Sequence, residues 1–138
     1  MKRTQLLNRH LSLLVAELGH LDEITIADAG LPIPHGVKVI DLAISPGEPR
    51  MATVLKALSD ELVIEGAIIA DQAQETNASA ILNDALTMFV FTSGVTRIDP
   101  NFMDHEDFKR RVAQSKAVIR TGEITPYCNI ILQSGVAF

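Results

Sequence analysis

Apolar and polar positions along the chain alternate between two rhythms. Leu7, Leu11, Leu14 and Leu18 recur at helical spacing, which predicts an amphipathic helix closed by Gly19. His20 then stands on a turn just past a helix end. ITIAD, at 24–28, is a short β-rich run that finishes on an aspartate. AGLPIPHG carries Gly30, Pro32, Pro34 and Gly36 and predicts a rigid loop. VKVIDLAI, at 37–44, predicts a buried strand, and SPGEP, at 45–49, a turn. Met51, Val54, Leu55, Leu58 and Leu62 form a helical stripe within 50–65 that Gly66 closes. AIIAD, at 67–71, predicts a second strand ending on an aspartate. A helix is predicted within 72–88 and a strand over 89–98. Asp104, with Asp107 three residues on, gives an N-cap and a weak capping box for a helix to about Ser115. KAVIRTG and NIILQSG predict two further strands around the turn TGEITPY.

Short apolar strands alternating with amphipathic helices predict an α/β fold. The expectation is a single domain over 1–138, three layers deep, with helices on the faces of a mixed sheet. The last two strands leave no room for a crossover helix, so part of the sheet is expected to be antiparallel.

Composition narrows the function. At 47% hydrophobic and 21% charged, the chain is an ordinary globule with a real core. Mean hydropathy is +0.21, apolar enough in so short a chain to hint at buried subunit contacts. Net charge is −5, and the densest basic cluster, Lys109–Arg110–Arg111, reads as a solvated helix face, so no nucleic-acid partner is expected. The lone Cys128 fits a reducing cytoplasm. Arg9, His10 and Glu17 interrupt the leucines of the N-terminal segment, which argues against a signal peptide. No apolar run approaches the ~20 residues of a membrane span, so no membrane partner is expected.

Chemistry is expected at strand ends and turns. His20 reads either as a surface histidine in a turn or as a general acid/base. Asp28 reads either as a turn cap or as an acceptor for an imidazole or hydroxyl. His105 reads either as no more than the first residue of its helix or as a hydrogen-bonding or base group, the helix dipole disfavouring a cation there and suiting a neutral imidazole. Tyr127 and Asn129, two apart on an extended segment, point the same way and suit a polyol. The same alternation turns Cys128 to the opposite face, as a small buried residue. His10, His20, His35 and His105 show no metal-ligand spacing, and no phosphate loop or dinucleotide fingerprint is present. Ser93 and Ser134 lack a nucleophile-elbow pattern.

Together LGH at 18–20, IADAGLPIP at 26–34, VKVIDLAI at 37–44, LSDELVIEGAIIA at 58–70, HEDFK at 105–109 and IRTGEITPYCNIILQSGVAF at 119–138 resemble the D-ribose pyranases. The resemblance spans nearly the whole chain and is weakest over 72–103. DAGLPIP favours them over the related L-fucose mutarotases, an alternative that stands beside a non-catalytic sugar binder. The resemblance implies interconversion of the pyranose and furanose rings of D-ribose without a cofactor or metal. It implies His20 as proton donor, and Asp28, His105, Tyr127 and Asn129 as sugar-binding positions, with Cys128 counted in the same segment. Cys128 stands where the family pattern has alanine. It also implies a cytoplasmic homo-oligomer, a decamer of two pentamers with sites between subunits.

Overall fold

A computed structural model describes the backbone of residues 1–93 and 97–138, and the side chains of these except 91–93. Among the described residues the strands are β1 (Glu23–Ala27), β2 (Lys38–Asp41), β3 (Ile64–Ala70), β4 (Asn101–Met103), β5 (Ala117–Arg120) and β6 (Ile130–Ser134). They form one sheet in the order β2-β5-β1-β6-β3-β4. The helices are α1 (Arg9–Glu17), α2 (Met51–Ser59), α3 (Ala78–Ser93) and α4 (His105–Val112), with a 3-10 turn at Asp71–Glu75.

The sheet is mixed, as expected. β1 and β2 run parallel to β5, β3 runs parallel to β4, and β6 lies antiparallel between β1 and β3. Ile24 and Ile26 of β1, Ile119 of β5 and Leu132 of β6 share a core with Leu14 of α1, Leu55 of α2 and Leu82 of α3. Ala27, Val118 and Ile131 pack on the other face against Phe108 and Val112 of α4 and Leu31 of the following loop. Two covered faces explain why the inner strands read as continuous apolar runs. The three layers are therefore α1–α3, the sheet, and α4 with the 28–37 loop.

Several elements depart from expectation. α1 starts at Arg9 because the side-chain oxygen of Asn8 accepts from the N–H groups of His10 and Leu11 at 2.9 and 3.1 Å. Leu7 precedes that cap and is exposed. The helix also does not end on a left-handed Gly19. Leu18 is extended, and the left-handed residue is Leu21, at φ 68°. β2 is an edge strand with only Ile40 buried, because β5 alone pairs with it. α2 stops at Ser59, and Gly66 lies inside β3. Over 89–98, residues up to Ser93 are helical, because Leu82, Ala85, Leu86 and Phe89 continue one buried stripe. Residues 94–96 of that expected strand lie outside the described residues, and the strand that forms is Asn101–Met103.

α4 keeps the predicted start. Asp104 caps it by accepting from the N–H of Glu106, but Asp107 pairs with Arg110 instead of closing a box, and the helix ends at Val112. Its basic face is not wholly solvated. Arg111 makes a two-pronged ion pair with Glu23, which is only 6% exposed, and this carboxylate raises the Arg111 pKa. Finally, β5 and β6 are not sheet neighbours. β1 lies between them, so the chain from Thr121 to Asn129 must bridge over the carboxyl end of β1.

Candidate functional site

The bridge creates the site. β1, β3, β4 and β5 all end on one side of the sheet, and β6 begins there. Open α/β sheets bind ligands in this location. A cavity of about 450 Å³ opens at that end, lined by Asp28 to Pro32, His105, Glu123 to Tyr127, and Asn129. Four of the sequence-selected residues, Asp28, His105, Tyr127 and Asn129, meet there.

Asp28 and Asn129 form a reciprocal pair. The Asn129 Nδ2 donates to Asp28 Oδ2 at 2.8 Å, and the Asp28 backbone N–H donates to Asn129 Oδ1 at 2.7 Å. The Gly30 N–H adds a bond to Asp28 Oδ1 at 2.9 Å. Asn129 is 1% exposed, so the pair is fixed before any ligand arrives. The carboxylate keeps lone pairs free for hydroxyl donors.

His105 is set by the start of α4. Its N–H donates to Gln72 Oε1 at 3.0 Å, and Gln72 Nε2 donates to Asp104 Oδ1 at 2.8 Å, tying the end of β3 to the helix. Its ring lies parallel to Phe108 at 6.4 Å and meets Tyr127 edge-on at 5.0 Å. Nδ1 is buried without a hydrogen-bond partner among the described residues. The residue lines the cavity, while this nitrogen itself is closed off from solvent.

Tyr127 and Asn129 both face the cavity, but not by strand alternation. Tyr127 is left-handed, at φ 61°, on a turn in which the Asn129 N–H donates to the Tyr127 carbonyl at 2.9 Å. Cys128 needs a correction. Its side chain is fully buried in the core beneath α1–α3 and does not line the cavity. Burial pushes its thiol up to about 12, so it stays protonated.

Glu123 was invisible to motif reasoning. It is 7% exposed and lines the cavity floor. Its Oε1 accepts from the N–H groups of Ile124 and Thr125 and from the Thr125 hydroxyl, while Oε2 accepts from the N–H of Met51. Burial pushes this carboxyl up, but those hydrogen bonds outweigh it and hold the pKa below its ordinary value. Its one sequence signal was an acid inside the apolar turn TGEITPY. Gly122 beside it has no room for a Cβ, which would collide with the Glu48 backbone.

His20 is elsewhere. It precedes β1 whereas Asp28 follows it, and the five residues of β1 put about 16 Å between them at ~3.3 Å per residue. Its side chain is 52% exposed, and Nε2 lies 3.0 Å from both carboxylate oxygens of Glu65. Among the described residues, no three His, Cys, Asp or Glu side chains gather closely enough to hold a metal ion. No helix among them is long and apolar enough to cross a membrane.

Known proteins share the fold and much of the sequence. The model of the RbsD / FucU transport protein family matches residues 1–137. A D-ribose pyranase of Vibrio campbellii is 50% identical, with 100% of both chains covered. The solved structure of Bacillus subtilis RbsD complexed with D-ribose matches with a TM-score of 0.88 and 41% identity, covering 100% of both chains. A fucose mutarotase from Streptococcus pneumoniae, solved with L-fucose, shares the fold at a TM-score of 0.79 and 21% identity, covering 99% of each chain.

Proposed function

The chain belongs to the RbsD / FucU transport protein family, and from that premise we propose that it is an isomerase interconverting the pyranose and furanose rings of D-ribose. The observation that carries this reading is the cavity: a fixed carboxylate, a buried amide, an imidazole and a phenol converge in it. Ring opening takes a proton from the anomeric hydroxyl and gives one to the ring oxygen. Closure on a different hydroxyl reverses both steps. No electron changes hands, so the chemistry asks only for positioned acids and bases, worth ~10²–10⁴-fold.

In this reading Asp28, with Asn129 holding it, and His105 bind the sugar hydroxyls, and Tyr127 walls the site. His20 is the proton donor. It cannot reach the cavity of its own chain, so it serves the cavity of a neighbouring copy. Supporting this, the large apolar side chains of Ile44 and Ile124 are 86% and 66% exposed, and Ile124 lines the cavity. The whole of 1–138 acts as one pyranase-like domain in a cytoplasmic assembly, a decamer of two pentamers. Light scattering at micromolar concentration is expected to show that large particle, and an active 15.0 kDa monomer contradicts it.

The test of function is saturation-transfer NMR on ribose and, in parallel, fucose. Catalytic protein should couple the pyranose and furanose anomeric signals of ribose. Tight ribose binding without coupling would make the protein a binder only.

A further inference from the structure

We infer that Glu65 is a positioning residue for His20: its carboxylate holds the Nε2–H tautomer and turns Nδ1 outward as the nitrogen that exchanges protons with the sugar. The inference rests on the reading that His20 is the proton donor.

Two irregularities of the backbone converge on this pair. β3 pairs with β6 through Ile64 opposite Ser134 and Gly66 opposite Gln133, so Glu65 is an extra residue with no partner opposite it. Such a bulge re-aims a side chain and breaks the pleat at a cost in ladder bonding. Gly66 follows it, where a Cβ would meet the Gln133 side-chain oxygen at 3.0 Å. On the other side, Leu21 adopts the left-handed conformation that leucine rarely takes, and its N–H donates to the Ser134 carbonyl at 2.9 Å. The result clamps the His20 turn to β6, the strand that faces the bulge. Sparsely populated backbone persists where its surroundings hold it in place, and it concentrates at functional sites. An exposed ion pair alone adds little stability and does not call for two such departures.

The tautomer follows from the chemistry of the contact. An ionised carboxylate can only accept, so the nitrogen 3.0 Å from both its oxygens carries the hydrogen. Nδ1 of the neutral ring then holds the lone pair, and of the protonated ring the mobile proton. The other nearby acid, Asp22, is already occupied by the N–H of Gly19 at 2.8 Å and by Lys116 at 3.6 Å. Glu65 is left as the carboxylate that orients the ring.

The experiment compares Glu65→Leu, Glu65→Gln and His20→Ala in the assembled protein. Nitrogen NMR of the His20 ring should show Nε2–H in wild type and a mixture of tautomers in Glu65→Leu. Ring exchange should fall ~10–100-fold in Glu65→Leu, as for other groups that orient a functional histidine. Ribose affinity should stay within about twofold, since the cavity is untouched. Glu65→Gln, whose amide oxygen still accepts from Nε2–H, should keep the tautomer and recover part of the rate even if the leucine variant misfolds. An Nδ1–H ring in wild type, or wild-type exchange in both Glu65 variants, overturns the role of Glu65. Wild-type exchange in His20→Ala overturns instead the reading of His20 on which it rests.

Discussion

The two ends of β1 carry the same pairing of an acid with a nitrogen-bearing side chain, wired in opposite ways. At the carboxyl end, Asp28 is held by an amide that is 1% exposed, within a walled cavity. At the amino end, Glu65 holds an imidazole whose side chain is 52% exposed. The first arrangement fixes an acceptor and leaves room for a ligand. The second fixes a titratable ring and displays it outward. On the proposed reading, binding groups prepared at one end and a proton carrier presented at the other make a site that a second copy of the chain completes.

The largest effect expected from breaking this comparison is on turnover. His20→Ala should lower ring exchange by ~10²–10⁴-fold, read by NMR, while ribose affinity by calorimetry stays near wild type. Proton transfer acts in the transition state, and the residue lies on an exposed turn, so fold and assembly should survive. At the other end the pattern should invert. Asp28→Asn and Asn129→Ala should each weaken ribose binding by roughly 1–3 kcal/mol per lost hydrogen bond, with a smaller change in the chemical step.

Glu123 sharpens the contrast between holding and reacting. Glu123→Gln faces an amide NH₂ toward donors that the carboxylate now satisfies, and should cost roughly 1–3 kcal/mol of stability by denaturant titration. Because the folded carboxyl is held below its ordinary 4.5, wild type has this stability above that pH and loses it as pH falls through the lowered value. The variant should lose that part of the acid dependence. The smallest effect expected is none: prolonged dialysis against a strong chelator should leave exchange unchanged, and loss restored by one divalent ion contradicts this.

The cavity end was legible in the sequence because its residues are polar or titratable types at strand ends and turns. Asp28 closes an apolar run, His105 follows a capping aspartate, and Tyr127 stands alone among the tyrosines. Their convergence was not legible. It depends on β1 inserting between β5 and β6, a long-range pairing that no local spacing records. Cys128 shows alternation giving the right face while the family segment pointed the wrong way. For Tyr127 and Asn129 the shared direction held but the extended backbone behind it did not, since a left-handed turn supplies it. Glu65 escaped notice because its partner lies 45 residues away, and Glu123 because three of its bonds are local turn bonds with no motif and the fourth reaches Met51, 72 residues away.

The central claim is that one site takes His20 from one copy and its cavity from another. Subunit complementation tests it most directly. His20→Ala assemblies and Asp28→Ala/His105→Ala assemblies are each dissociated, mixed in equal amounts and allowed to reassemble, and ribose ring exchange is measured by NMR. With random assortment in a symmetric ring, about a quarter of the sites combine an intact His20 with an intact cavity, so exchange should return from near zero to about a quarter of wild type. A mixture that reassembles fully, by light scattering, yet stays as inactive as its parents would contradict the shared site.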